Sequence, residues 1–394
     1  MKIFCRLSYS INADRQKGRR GLKIVHLSDT HIGYSAYSKV DEKSGLNQRE
    51  VDVFNAFKEV VDRILEINPD AVLHSGDLFD SVRPTNRAIS FAIEQLVRIT
   101  DKGIPVVVIA GNHSTPRLQE TGSVFRIFEH ISGIKPVYKG SYEKIRIGDM
   151  AVHAISHCDS ETLRENIEMI KIAKDAQYNI MMLHAGVVGL SVFKMDEFNE
   201  ALIQSSYLRK EFDYIALGHY HGYFEINDNA CYAGSTERFS FAEADQKKGF
   251  LVVDLKNKRK EFVEIKTREM IDLPIIDASM LNAISLKEEI ERVIELQPLD
   301  GKIVRLRIKN LRSSLYKTID FGRIREMTKS ALVFDLRYDL IQENMAVQPS
   351  TTMLSSLPRE FISFLERHPV EGVNKEVIRD LGLEYLNRGL EESD

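Results

Sequence analysis

The sequence predicts an α/β (α+β) fold in which a β-sandwich is flanked by helices and followed by a small α/β unit and a C-terminal helical pair. Three observations carry this. From residue 22 to about residue 265, short apolar, largely β-branched runs alternate with amphipathic stretches of helical period. Five of those runs, at 22–27, 71–73, 106–109, 180–183 and 214–217, each lead into a short polar cluster. After His221, strands at 230–233, 249–254 and 261–265 follow one another with no helix between, which two facing sheets accommodate. A doubly wound Rossmann-type sheet is the alternative, but no G-x-G-x-x-G follows the first strand.

Taken in order, residues 1–21 carry Lys2, Arg6, Arg15, Lys17, Arg19 and Arg20 against Asp14, show no periodicity, and read as an N-terminal extension. The unit 22–270 holds a helix at 48–67, where Val51, Phe54, Phe57, Val61, Ile64 and Leu65 recur at helical spacing. Further helices are predicted at 85–100 and 162–174, with Pro69, Pro84 and Pro105 punctuating the joins. A second unit, 271–342, reads as helix 286–296, strand 302–309, helix 321–329 and strand 331–340. Its run Val304-Arg305-Leu306-Arg307-Ile308-Lys309 alternates apolar and basic residues, so one face is buried and the other is positive. That face suits a solvated surface and a DNA-facing one equally. Residues 343–357 are polar and read as a linker. In 358–394, Phe361, Ile362, Phe364 and Leu365 mark one short amphipathic helix, and Val377, Ile378, Leu381, Leu386 and Leu390 mark another. So small a pair cannot bury its apolar stripes alone and is expected to dock on this chain's body or on a partner's coiled coil.

Bulk composition excludes several classes. The 394 residues are 43% apolar with a formal net charge of −4, which suits a large soluble core and not a protein that coats nucleic acid by bulk positive charge. Cys5, Cys158 and Cys231 lie far apart and form no C-x-x-C, so neither a disulfide framework nor a zinc knuckle is indicated. No apolar run approaches the roughly 18 residues of a membrane span, and the N-terminal stretch lacks the apolar core of a signal peptide. A cytoplasmic protein with reduced thiols is expected.

The polar clusters are Asp29-Thr30-His31, Gly76-Asp77, Gly111-Asn112-His113, His184 and Gly218-His219-Tyr220-His221, each at the carboxyl end of a predicted strand. A lone D-x-H or H-x-H is as a rule a loop or surface pair; five in order define one site. Hydrolysing a phosphodiester at neutral pH needs a nucleophile made from water and neutralisation of the phosphoryl oxygens, and two metal ions about 3.5–4 Å apart supply both. Mixed imidazole and carboxylate donors suit manganese, iron, nickel or zinc better than magnesium or calcium. Manganese is the expected ion. His26, His74 and His153 lie within strands and read as core histidines, while the adjacent His157, Cys158 and Asp159 are poorly spaced to share an ion.

The order D-x-H, G-D, G-N-H, H-x-G, G-H-x-H resembles the calcineurin-like metallophosphoesterase superfamily, and all five motifs match. The resemblance implies that Asp29, His31, Asp77 and His221 bind one metal and that Asp77, Asn112, His184 and His219 bind the other, with Asp77 bridging. It also implies that His113 is a catalytic non-ligand facing the scissile phosphate. The wider segments Leu27 to Tyr34, Ser75 to Pro84 and Ala233 to Phe239 resemble the SbcD-type DNA repair nucleases, the prokaryotic form of the meiotic-recombination nuclease. Membership implies two manganese ions per subunit, 3′-to-5′ exonuclease action on duplex ends, and endonuclease action on single-stranded DNA. It further implies a homodimer, a DNA-binding capping domain at 271–342, a nucleoid-associated location, and an SbcC-type coiled-coil ABC ATPase that receives the C-terminal helices. Two departures stand out: Asp80 replaces the histidine that many members carry, and Ser114 replaces the usual acid. A small-nucleotide phosphodiesterase and a non-catalytic scaffold are the other readings; the extra residues from Met270 to Asp394 count against the first and the complete ligand set against the second.

Overall fold

The computed structural model describes residues 22–115, 122–189, 200–341, 361–362, 364–365 and 375–391. The N-terminal extension and the predicted linker lie outside the described residues. The predicted sandwich forms. One six-stranded sheet runs in the order Arg259–Glu264, Gly249–Asp254, Lys23–Leu27, Ala71–His74, Val106–Ile109, Ile134–Val137. The other runs Phe224–Glu225, Ala230–Tyr232, Tyr214–Gly218, Tyr178–His184, Met150–Ile155, Tyr142–Ile147. The central strands of both are parallel, and antiparallel strands close three of the four edges.

Ile24, Leu73, Val107 and Ile109 of the first sheet meet Val152, Ile180, Met182 and Ala216 of the second between the layers. On the first sheet's outer face, Val25, Val72 and Val108 pack with Val60, Ile64, Leu96 and Ile99 of two helices. On the second's, Met181, Leu183 and Ile215 pack with Leu163 and Ile167 of a third. Strands buried on both faces must be apolar throughout, which is why they read as continuous runs and not as alternating ones.

Helix Gln48–Ile67 starts where the Asn47 side chain accepts from the Arg49 N–H and ends at Asn68, left-handed at φ 51°, just before Pro69. Helix Asn86–Thr100 is capped by Thr85. The helix expected at 162–174 runs instead from Ser160 to Met169, because the Asp159 carboxylate caps two N–H groups and Ile170 turns extended at ψ 122°. Ile170 and Ala173 stay buried without being helical, so their spacing imitates a longer helix.

The second unit is a wholly parallel sheet in which Met270–Asp272 and Ile276–Asp277 share one side of Ile303–Arg312, with Val333–Ile341 on the other. Helices Ala283–Ile294 and Phe321–Met327 supply Leu286, Ile290, Val293 and Ile324 to its core. The basic face of Ile303–Arg312 is partly engaged: Arg305 and Arg307 both hold Asp272, and the Arg305 guanidinium lies 4.3 Å over the ring of Phe241. Lys309 stays exposed. At the C-terminus, helix Lys375–Glu391 passes so close to Phe361 that a Cβ at Gly382 would overlap its ring, so the two predicted helices meet. Among the described residues no helix is long and apolar enough to cross a membrane.

Candidate metal centre

Parallel pairing within each sheet sets strand ends side by side, and the two sheets bring their carboxyl edges to a common rim. Asp29 and His31 follow Lys23–Leu27, Asp77 follows Ala71–His74, and Asn112 and His113 follow Val106–Ile109. From the facing sheet, His184 ends Tyr178–His184, and His219 and His221 follow Tyr214–Gly218. Turning side chains inward so soon after a strand uses unusual backbone: Asp29 (φ 51°), His31 (φ 44°), Asp77 (φ 50°) and His219 (φ 108°) all have positive φ. Such conformations persist only where the surroundings over-determine them, and they concentrate at functional sites. Here the Asp29 and His31 N–H groups donate to the Gly76 and Asp77 carbonyls, each at 3.0 Å. Gly218 lets the two sheets converge, since a Cβ there would overlap the Ser75 carbonyl.

The side chains close on one another. His31 and His221 face each other with their Nε2 atoms 3.2 Å apart. Asp29, His31 and His221 each offer a donor atom within 4.8 Å of the others, as do Asp29, Asp77 and His184, and also His31, Asp77 and His113. The Asp77 carboxylate therefore stands between the groups, 3.2 Å from His184 Nε2 and 4.0 Å from His31 Nε2. Asn112 Oδ1 lies 2.9 Å from that same His184 nitrogen, whose Nδ1 donates to the Ser75 carbonyl at 2.9 Å. His219 sits beside the cluster, its ring 5.4 Å from that of His184, its N–H donating to Asp29 and its Nε2 3.1 Å from Glu200. All of these side chains are buried except those of Asn112, His113 and Glu200, which are partly open.

Charge balance shows what the cradle takes. Burial disfavours an ionised Asp77, yet His184 and His31 outweigh it and hold the carboxyl below its usual range. Burial likewise disfavours a charged His184, but Asp77 lifts it to about 9. Burial opposes and Glu243 prevails at His221, whose pKa is raised. Carboxylates and imidazoles converging in a buried pocket that draws in positive charge fit divalent cations.

His113 is half-buried, with its N–H on Asp77 Oδ1 at 3.0 Å and its Nδ1 donating to the Asp80 carbonyl at 2.9 Å, which leaves Nε2 free. Asp80 thus acts through its backbone on His113, while its carboxylate lies 3.4 Å from His31 Nδ1. Ser114 is buried and donates to the Phe79 carbonyl at 3.5 Å, so it is Asp80 and not Ser114 that orients His113. Sequence reasoning missed Glu200, Glu243 and Lys248. The only signal of Glu243 and Lys248 is that acids and lysines crowd the segment after Arg238, where spacing identifies no ligand set, and Glu200 leaves none.

The three strand histidines have core roles. His26 Nδ1 meets the Tyr214 hydroxyl at 2.8 Å, His74 Nε2 meets Thr30 Oγ1 at 3.0 Å, and His153 lies between Tyr142 and Asn179. Burial pushes His26 down to about 3, and it outweighs the nearby carboxylates to bring His74 to about 4. An unfolded chain takes up these protons near pH 6.5. Stability of the metal-free protein is therefore expected to fall steadily from about pH 6.5 towards pH 4. His184, lifted to about 9, and His221, also raised, act in the opposite sense, their contribution being present below pH 6.5 and lost as pH rises above it, and Glu237, raised by burial, offsets part of the loss at the acid end. Thermal unfolding in chelator at stepped pH checks this; a flat midpoint would refute neutral burial of the pair.

Two sheets whose facing edges gather these carboxylates and imidazoles have the architecture of a metallophosphoesterase. The family model described as calcineurin-like phosphoesterase matches residues 22–223. Among curated proteins, the chain is 32% identical over 296 residues to the DNA double-strand break repair protein Mre11 of Methanococcus maripaludis, covering 70% of this chain and 74% of that one. It is 29% identical over 385 residues to the protein of that name from Methanocaldococcus jannaschii, covering 93% and 90%. A third, from Sulfolobus acidocaldarius, is 29% identical over 285 residues, covering 70% of each. The chain belongs to the calcineurin-like phosphoesterases and, within them, to the Mre11 family.

Proposed function

We propose that this protein is a manganese-dependent DNA nuclease that processes ends in double-strand-break repair. What supports the reading is the convergence of Asp29, His31, Asp77, His113, His184 and His221 at one rim, with Asn112 and His219 beside them, in a chain whose relatives are named for that repair. Asp29, His31, Asp77 and His221 hold one ion, and Asp77, Asn112, His184 and His219 hold the other. When bound, a pair of divalent cations supplies activation of water and neutralisation of phosphoryl charge. Asp77, between the two groups of donors, fixes their separation. His113, held through Nδ1 by the Asp80 carbonyl, keeps Nε2 for the proton that passes to the leaving oxygen. Asp80 places its carboxylate towards His31, so the charge that would repel a phosphate is turned partly inward.

Residues 271–342 form the capping unit that lies along DNA, using Lys309 more than the engaged Arg305 and Arg307. The paired C-terminal helices receive the coiled-coil base of an SbcC-type ATPase, and the protein acts as a homodimer. Both 3′-to-5′ exonuclease and single-strand endonuclease activities belong to this reading. The purified chain with manganese is expected to cleave end-labelled duplex DNA and circular single-stranded DNA, and the Asp77→Ala variant neither. Cleavage of a small phosphodiester alone would favour a nucleotide phosphodiesterase instead, and inertness towards every substrate would favour an obligatory partner or a scaffold.

A further inference from the structure

Beneath His221 lies a salt bridge that no ligand motif contains. Glu243 ends the short turn Phe241–Glu243, and Lys248 stands just before the strand Gly249–Asp254; both are essentially inaccessible, at 2% and 1% exposure. Burying two such charges costs more than their attraction returns unless the remaining lone pairs and protons are also matched. They are. Glu243 Oε1 lies 3.1 Å from His221 Nδ1 and accepts from Ser240 Oγ at 3.2 Å. Its Oε2 accepts from Lys248 Nζ at 2.5 Å and from the Phe239 N–H at 3.3 Å. The ammonium donates onward to the His221 carbonyl at 2.9 Å, to Ser235 Oγ at 2.8 Å and to Gln246 Oε1 at 2.9 Å.

The pair thus grips His221 twice, at its ring and at its backbone. A carboxylate on Nδ1 fixes the tautomer with the proton there and leaves the Nε2 lone pair outward, 3.2 Å from Nε2 of His31. It also makes the imidazole a better donor, as carboxylates behind metal-bound histidines do. The turn itself is pinned from outside, since Phe241 lies under the Arg305 guanidinium of the second unit. By contrast, the hydrogen-bond partner of His184 Nδ1 is the neutral Ser75 carbonyl at 2.9 Å, with the Asp29 carboxylate farther off at 3.9 Å, so the two halves of the centre are supported differently.

We infer that Glu243, held by Lys248, is the positioning residue for the ion bound by Asp29, His31, Asp77 and His221. This rests on the ligand assignment proposed above. Manganese titrated into the full-length Glu243→Gln protein is expected to bind one equivalent about 10–100-fold more weakly than in the unaltered chain, with the other equivalent unchanged. Glu243→Gln combined with Lys248→Met removes both buried charges together and is expected to show the same selective loss. A merely structural pair would lower the unfolding midpoint and leave both affinities alone.

In the unaltered zinc-loaded protein, nitrogen-15 histidine spectra, assigned by comparison with His221→Gln, are expected to show His221 with a protonated Nδ1 and a metal-bound Nε2. This reading stands even if neither variant folds. Zinc on Nδ1, or two undiminished manganese affinities in a folded variant, would overturn the inference. If Asp77→Ala kept both ions, the ligand assignment would fall first; if it lost them while the Glu243 variants bound normally, the role of Glu243 alone would fall.

Discussion

Asp77→Ala is expected to take the protein from two bound manganese ions to none and cleavage of DNA to background. The size of the effect follows from position. Asp77, like Asp29, is common to two of the donor groups, but it is Asp77 that reaches towards both sides, 3.2 Å from His184 and 4.0 Å from His31, while its other oxygen accepts the His113 N–H at 3.0 Å. In the proposed ligand assignment, removing it deletes a donor from both ions. It also leaves His184 without the group that lifts its pKa to about 9, so this imidazole loses its main reason to favour positive charge. Equilibrium dialysis with manganese, read by elemental analysis, measures the stoichiometry. Retention of two equivalents would exclude Asp77 as the bridge, and retention of one would assign it to a single ion.

The centre was legible in the sequence because of where its residues stand. A strand covered on both faces has to be apolar along its whole length, so a polar residue such as Asp29, Asp77 or His184 at its carboxyl end breaks the pattern sharply. Parallel strands then carry those breaks to one rim, and the order of the breaks along the chain is preserved as motif spacing. The first long helix was legible for a different reason, because Val51, Phe54, Phe57, Val61 and Ile64 recur at helical spacing. Residues acting at one remove left no such mark. Glu243 and Lys248 serve His221 from a turn fixed by tertiary contacts, and nothing in their spacing from Gly218 to His221 encodes it. The edge strand Tyr142–Ile147 was equally silent, being only half covered and rich in charge.

The left-handed backbone at Asp29, His31 and Asp77 was hidden as well, and it bears on how the centre is assembled. The Gly76 and Asp77 carbonyls that accept from Asp29 and His31 belong to the neighbouring strand's own loop. Each loop therefore holds the other in a conformation that neither favours alone. Donor placement is built into the protein scaffold by these cross-strand bonds, and an ion arrives at a cradle whose carboxylates and imidazoles already face inward.

His113→Ala separates binding from chemistry and is expected to lower the rate of DNA cleavage by about 10²–10⁴-fold while leaving two manganese ions bound. The argument is geometric. The Nδ1 of His113 is engaged by the Asp80 carbonyl, and its backbone N–H, which survives the substitution, supplies the contact with Asp77. What the variant loses is a partly exposed imidazole whose free Nε2 lies next to the donors, edge-on to the His31 ring at 4.8 Å between centroids. Single-turnover cleavage at saturating manganese isolates that loss from any change in DNA affinity, which fluorescence anisotropy measures separately. Should the variant come out with one ion missing, His113 would be a ligand, as its place within 4.8 Å of His31 and Asp77 donors permits. Should it cleave at the unaltered rate, the proton for the leaving oxygen would have to come from solvent, and Asp80 would be left holding a histidine with no part in the reaction.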